Sequence, residues 1–150
     1  MSYIMELRKV LGPRPLIMVG ACVIVKNEQG QFLLQKRSDT LDWGTVGGAL
    51  ELGESLEEAA ARELFEEAGL RADRFKFVTL LSGKDMYFKY PHVDEVYNVM
   101  AVFEAEGVRG EPSIQDDEGL ELGWFSLEEP FEGLNPFSKH VLARSGYLKD

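Results

Sequence analysis

The alternation of apolar and polar positions divides the chain into strand-like and helix-like segments. Runs rich in Val, Ile and aromatic residues, bounded by turn residues, predict β-strands. Residues 95–104 are apolar on both alternating faces, which is typical of an interior strand. Asn27 to Gly30 predicts a hairpin turn between the first two strands. The predicted strands are residues 16–26, 31–35, 75–82, 95–104 and 120–126.

Three other segments have the apolar spacing of helices. An N-terminal helical extension at 1–12 precedes the first strand, which suits docking at a sheet edge or at a partner subunit. A helix at about 55–68 begins at Ser55, and Glu58 three residues later completes a capping box. A C-terminal helix is predicted at 135–145.

The composition fits one α/β domain over residues 1–150, with 45% hydrophobic and 28% charged residues. The net charge of −10 argues against general binding to nucleic acid or anionic membranes, because both need basic patches. The single cysteine, Cys22, lies in an apolar run that suits a buried thiol. With no signal-peptide pattern and no apolar run long enough to span a membrane, a cytoplasmic location is predicted.

Residues 51–67 concentrate negative charge. These residues include seven glutamates and one basic residue, Arg62, which gives a local charge of −6 out of the total of −10. On a helical wheel Glu67 falls inside the apolar stripe of the helix, Glu63 lies beside it and Glu66 lies further round. Two of these three carboxylates are therefore expected to turn toward the body of the protein.

Clustered carboxylates that face the protein can be protonated, paired with Arg or Lys, or bound to a metal. Arg62 can reach Glu58 or Glu66 one turn away as an ordinary salt bridge, but it cannot serve Glu63 and Glu67 together from the same helix. A hard cation such as Mg²⁺ can take carboxylate oxygens as ligands and complete its shell with water and phosphate oxygens. We therefore expect a divalent cation that holds a polyphosphate.

A glycine-rich loop is predicted just before the acidic helix, at Gly44, Gly47, Gly48 and Gly53. Glycine permits close backbone approach and positive φ angles. Such a loop, leading into an acidic helix, can present a backbone oxygen to the same cation.

The same stretch resembles the signature of the Nudix family. Gly48, Glu54 and the run Arg62-Glu63-Leu64-Phe65-Glu66-Glu67-Ala68-Gly69-Leu70 fill every fixed position of that signature. The wider chain, from about 16 to 130, is also similar to the family, although Val46 stands where many relatives carry Pro. The resemblance implies a Nudix-like α/β/α sandwich with a mixed central β-sheet. It also implies hydrolysis of a nucleoside diphosphate linked to another moiety.

The roles of individual residues are implied by this resemblance. Arg62 would hold the carboxylates by a salt bridge, Glu63 would be a ligand or the general base, and Glu118 would bind metal or activate water, or be an exposed loop acid. The cofactor would be Mg²⁺, with Mn²⁺ as a substitute, and family habit makes a homodimer plausible. The groups expected to bind or position metal are Glu51, Glu54, Glu63, Glu66, Glu67 and the carbonyl of Gly47.

Substrate contacts outside the signature are less defined. Lys36 and Arg37 suit phosphate contact, or a solvated strand end. Tyr87 stands where dinucleoside polyphosphate hydrolases of the family carry Tyr, but it also suits packing in an aromatic run. Asp85 and Met86 stand where ADP-ribose hydrolases often carry Pro, which disfavours that substrate. The substrate class is therefore a small nucleotide or nucleotide derivative.

Two other functional classes also fit parts of the pattern. A catalytically silent Nudix-fold module could bind nucleotide as a sensor or scaffold, although the intact set of acids speaks against it. An acidic calcium-binding or interaction domain is the other, although the chain lacks an EF-hand loop. Hydrolysis that depends on Mg²⁺ would exclude the first, and a Ca²⁺ titration without nucleotide would test the second.

Overall fold

The predicted segments all return as elements in the computed structural model, which describes residues 2–91, 93–115, 119–128 and 131–148. The helices are α1 (Tyr3–Leu11), α2 (Leu56–Ala68) and α3 (Pro136–Arg144), and a 3-10 turn lies at Lys84–Met86. None of the described helices is long and apolar enough to cross a membrane. The strands are β1 (Leu16–Ile24), β2 (Phe32–Arg37), β3 (Trp43–Gly44), β4 (Val46–Ala49), β5 (Arg74–Leu81), β6 (Tyr87–Lys89), β7 (Glu95–Glu106) and β8 (Gly119–Phe125).

The strands in the described part of the chain form two sheets. The larger has the order β4-β1-β7-β5, and β6 also pairs with β7. In it β1 and β7 run parallel, whereas the other neighbouring pairs are antiparallel. The predicted mixed sheet with flanking helices is thus confirmed, and a smaller antiparallel sheet, β3-β2-β8, accompanies it.

The turn between β1 and β2 forms as predicted, but the two strands do not continue as a hairpin. The Gly30 N–H donates to the Asn27 carbonyl at 3.0 Å, which closes the turn. Beyond it the antiparallel bridge is limited to Lys26 and Phe32. The chain then leaves one sheet for the other, because β2 pairs with β3 and β8 instead.

The larger sheet is covered on both faces. Ala21 and Val23 of β1 join the core formed with α2, whereas Cys22 and Ile24 join the core formed with α3. Strand β7 likewise sends alternate side chains into the two cores, which explains why residues 95–104 are apolar on both faces. Its predicted interior position in the sheet is confirmed, since it lies between β1 and β5. Cys22 is the predicted buried thiol, and burial raises its pKa to about 11.

Helix α1 buries none of its residues and is held by polar contacts at both ends. The Tyr3 N–H donates to Glu51 Oε1 at 2.8 Å. The Arg8 guanidinium donates to the carbonyls of Gly12 and Arg14 and to that of Glu95, where β7 begins. The helix thus docks against its own chain, which is one of the two placements left open by the sequence.

Helix α2 begins and ends where its capping residues predict. Ser55 Oγ accepts the Glu58 N–H at 3.1 Å, and the Glu58 carboxylate accepts the Ser55 N–H at 2.9 Å. Gly69, with φ of 68°, ends the helix in the left-handed conformation. Together with the packed face, these caps fix which carboxylates of α2 face the sheet.

Replacing Ser55 by Ala should lower the free energy of unfolding by about 1 kcal/mol, because the Glu58 amide loses its side-chain acceptor. Urea unfolding followed by far-UV circular dichroism measures the change. Ser82→Ala, at an exposed serine beyond β5, is the control and should be nearly neutral. Equal losses in both variants would contradict the importance of the cap.

Candidate active site

Three glutamates of α2 line one cleft at different depths. Glu67 is 3% exposed, and the side chains of Glu63 and Glu66 are 12% and 48% exposed. This order agrees with the helical wheel, which put Glu67 in the apolar stripe and Glu66 furthest from it. The carboxylates thus form a gradient from the core to the solvent.

The Glu67 carboxylate is bound by two donors beneath β4. The Gly47 N–H donates to its Oε1 at 2.7 Å, and Gln35 Nε2 donates to its Oε2 at 2.8 Å. Burial, and then the nearby charge of Glu63, raise the pKa of Glu67 to about 8 despite these bonds. The protein alone therefore leaves a buried negative charge incompletely compensated.

Gly47 and Gly48 lie in an edge strand, so the prediction of a glycine loop at these positions is wrong. They pair with Cys22 and Ala21 of β1. A Cβ on Gly47 would overlap the β1 backbone, and a Cβ on Gly48 would overlap the Glu63 carboxylate. Glycine is needed here because the strand lies against its neighbour and against the acids of α2 at the same time.

Arg62 organises the acidic cluster through a fork of hydrogen bonds. Its Nε and Nη2 donate to the two Glu54 oxygens at 2.7 and 2.9 Å, and Nη1 donates to Glu63 Oε1 at 2.7 Å. Nη2 also donates to the Ala49 carbonyl at 2.9 Å, and Glu66 lies at 3.4 Å from Nη1. The hydrogen bonds from Arg62 hold the pKa of Glu54 below its usual range. The alternative of a simple pair with Glu58 or Glu66 is therefore insufficient.

Glu54 and Glu51 are occupied by contacts within the protein. Both Glu54 oxygens accept from Arg62, and the Oε1 also accepts the Glu51 N–H at 3.1 Å. The Glu51 carboxylate accepts the Tyr3 N–H. Glu54 is thereby fixed to Arg62, and the Glu51 carboxylate to the start of α1.

The cleft has a volume of about 1250 Å³ and extends well beyond the acids. Its acidic end is formed by β4 and α2, and its floor by residues of β1 and β7. Residues of α1, the β6 region and α3 also line it. It is long enough to contact more of a ligand than its phosphates.

The predicted substrate contacts separate in the structure. Arg37 lines the cleft, where its guanidinium pairs with Asp39 at 2.9 Å. Lys36 is not among the lining residues, and the pairing of β2 with β8 shifts register between Lys36 and Arg37. Tyr87 also lies outside the lining set, with its ring beside Tyr97 at 5.2 Å between centroids. Glu118 lies outside the described residues.

Gln35 is a site residue that the sequence analysis missed. It is 2% exposed and fixes the inner oxygen of Glu67. The signal for it was its place directly after the apolar run Phe32-Leu33-Leu34 of a predicted strand. Such a position requires a buried hydrogen-bond partner.

Residues 16–145 match the NUDIX domain family, and the chain belongs to it. An oxidized purine nucleoside triphosphate hydrolase from Danio rerio is 34% identical over 90 residues, or 59% of this chain and 53% of that protein. The NAD-capped RNA hydrolase NudC of Citrobacter koseri is 29% identical over 114 residues, covering 74% of this chain and 40% of that protein. The chain spans between 33% and 56% of the length of the curated relatives that it matches.

A solved structure gives the same family likeness in three dimensions. The MutT NUDIX hydrolase from Burkholderia pseudomallei superposes with a TM-score of 0.70 at 26% identity. The superposition covers 85% of this chain and 96% of that one. The family match over residues 16–145 includes the strands and the helix that carry the acidic cluster.

Nudix hydrolases in general depend on a divalent metal, and the donors of this site suit such an ion. Glu63, Glu66 and Glu67 offer the carboxylate oxygens that hard cations prefer, and the raised pKa of Glu67 reflects a charge that a cation would compensate. Within the described ranges no three His, Cys, Asp or Glu side chains stand close enough to hold one ion. Glu63 already accepts a hydrogen bond from Arg62, so side chains of this cluster would have to rearrange for three of them to hold one ion.

Without added metal, Glu67→Gln should stabilise the protein at alkaline pH. The folded-state pKa of about 8 lies above that of an unfolded glutamate, so wild type loses stability as pH rises toward 8, whereas Gln does not titrate. Gln keeps an acceptor for the Gly47 amide, and the Gln35 amide can rotate to accept from its new NH₂ group.

The measurement is urea unfolding in a chelator at about pH 5 and about pH 9. The advantage of Glu67→Gln over wild type should grow by a few kcal/mol between these conditions. Glu57→Gln, on the exposed side of α2, should show no such growth. A difference that stays constant with pH would contradict the uncompensated charge at Glu67.

Proposed function

We propose that this chain is a pyrophosphohydrolase that cleaves a nucleoside diphosphate linked to another moiety by attack of water on phosphorus. The cofactor would be Mg²⁺, with Mn²⁺ as a substitute. The observation that carries the proposal is the cleft, which is lined by Glu63, Glu66 and Glu67 together with strand β4. Membership of the NUDIX family supports the same reaction class.

The proposed roles follow from the depth and contacts of each group. When bound, the cation supplies charge neutralisation at the phosphate oxygens and lowers the pKa of water. Glu66, Glu67 and the Gly47 carbonyl would hold it, and Glu63 would be either a further ligand or the base that accepts the proton. Arg62 is proposed as a positioning residue, because its donors are directed at Glu54, Glu63 and the Ala49 carbonyl.

Glu54 and Glu51 would act through their neighbours. Glu54 fixes Arg62, and Glu51 joins the start of α1 to the acidic end of the cleft. Of the residues predicted to contact substrate, Arg37 is the one we propose as a phosphate contact, since it lines the cleft. Glu118 stays a prediction, as do one domain over 1–150 and a homodimer.

The proposed substrate is a small nucleotide such as an oxidised purine nucleoside triphosphate. The name of the Danio rerio relative supports it, and the net charge of −10 disfavours long nucleic acids. The capped end of an RNA is a second candidate, because the NudC relative aligns with 74% of this chain. Both would place a pyrophosphate at the acids of α2.

A panel of hydrolysis assays tests the proposal, with the products separated by chromatography, because cleavage within a diphosphate yields monophosphates or pyrophosphate and no orthophosphate. Wild type is assayed with Mg²⁺, Mn²⁺ or a chelator on dNTPs, oxidised dNTPs, dinucleoside polyphosphates, ADP-ribose, nucleotide sugars and NAD-capped RNA. Turnover should require the cation. Glu67→Gln should lower kcat roughly 100-fold or more while the variant stays folded.

Glu57→Gln is the matched control on the same helix and should leave turnover unchanged. Turnover near the wild-type level in Glu67→Gln would refute the role of Glu67. Wild type that is inactive on the whole panel would instead favour a silent module that binds nucleotide.

A further inference from the structure

Asn98 is a buried amide on the floor of the cleft. It is 4% exposed and lies on β7, on the same face as Val96 and Met100. Its partner across the parallel pair is Met18, which also lines the cleft. A polar side chain at such a position costs stability unless its hydrogen bonds are made.

The orientation of this amide is fixed by one bond. Asn98 Nδ2 donates to the Met86 carbonyl at 3.2 Å. No hydrogen bond from a described residue reaches the side-chain oxygen, Oδ1. Turning the amide would place Oδ1 against that carbonyl, so the oxygen remains directed elsewhere. Among the described side chains, Ser145 Oγ is the polar atom that is fully enclosed without a partner, so Asn98 Oδ1 is not fully enclosed, and Asn98 lines the cleft.

The distance from Asn98 to the acidic end matches the length of a nucleotide. Asn98 lies level with Met18 of β1, whereas Gly47 lies level with Cys22. Along the strands, Asn98 and Gly47 are therefore four residues apart, or about 13 Å. Across the sheet they are two strand spacings apart, or about 10 Å, so their backbones are separated by about 16 Å. An extended nucleoside polyphosphate with its phosphates at the acids would bring its base to Asn98.

Aromatic side chains flank the same region. Phe88 pairs with Val96 across β6 and β7, which makes it a diagonal neighbour of Asn98 at about 7 Å. Phe88 also contacts Tyr90 and Phe137, with centroid separations of 4.8 and 5.9 Å, and all three line the cleft. An apolar, aromatic pocket with one directed polar group is suited to a nucleobase.

We propose that Asn98 reads the nucleobase of the substrate, with Oδ1 accepting a hydrogen bond from an N–H donor on the base edge. The second Nδ2 hydrogen would face an acceptor beside that donor. The favoured substrates are nucleotides whose base edge pairs a donor with an acceptor, such as the amino edge of adenine or the edge of 8-oxoguanine that carries N7–H. The N7/O6 edge of guanine presents only acceptors, so guanine matches Asn98 only if it turns its N1–H/O6 edge toward it, whereas 8-oxoguanine matches through N7–H and O6. This inference rests on the proposed function.

Matched substrate pairs test the inference. The pairs are dATP with the purine deoxyriboside triphosphate that lacks the amino group, and 8-oxo-dGTP with dGTP. Wild type should favour the donor-bearing member of at least one pair by roughly 10-fold or more in kcat/KM. In Asn98→Leu that ratio should fall to near 1, because neither member then finds an acceptor.

Two further variants separate base reading from a structural role. Val99→Ala, on the opposite face of β7, perturbs the same strand and should leave the wild-type ratio unchanged. Asn98→Ala removes the acceptor with less added bulk and replaces the Leu variant if that one unfolds. Loss of activity on both members of a pair with an unchanged ratio would show that Asn98 only supports the Met86 turn, and would overturn the inference.

Failure of the proposed function gives a different result. If wild type hydrolyses no member of any pair, the wider substrate panel decides whether the chain is a hydrolase, and calorimetric binding of the same pairs decides the role of Asn98. A donor preference in binding that disappears in Asn98→Leu supports base reading in a silent module. Equal binding of both members overturns it.

Discussion

The buried carboxylate of Glu67 is the constraint on which the rest of the site depends. Its position in the apolar stripe of α2 removes it from water, and the neighbouring charge of Glu63 adds to the cost. The backbone amide of Gly47 and the side chain of Gln35 offset part of this cost by donating hydrogen bonds to the carboxylate. Both donors come from other elements, so the helix, β4 and β2 must keep their relative positions for this carboxylate to be tolerated.

Arg62 then distributes charge among the remaining acids. A guanidinium fork can bind several oxygens at fixed angles, which an ammonium group cannot do. Here it joins Glu54, which precedes α2, to Glu63 within the helix and to the backbone at Ala49. A substitution by Lys would keep the charge and lose this geometry, so the residue type matters more than its sign.

The features predictable from sequence were those set by local chemistry. The capping residues and the apolar period placed α2 and the depth of Glu67 correctly, because both depend on a single helix. Gly47 and Gly48 were assigned to a loop, since pairing with a strand more than twenty residues earlier leaves no local signal. The pairing of Arg62 with Glu54 was also missed, because Glu54 lies outside the helix and a helical wheel does not place it. Lys36 and Arg37 could not be separated, because the register shift that lies between them in β2 depends on pairing with the distant strand β8.

Helix α1 has a consequence for the dynamics of the cleft. It forms one wall of the cleft, yet none of its residues is buried, and it is attached through Glu51 at one end and Arg8 at the other. Regions with few buried apolar contacts open locally at a lower free energy than the core. The wall beside the acids therefore belongs to the least stable part of the fold, and its amide hydrogens should exchange with solvent before those of β1 and β7.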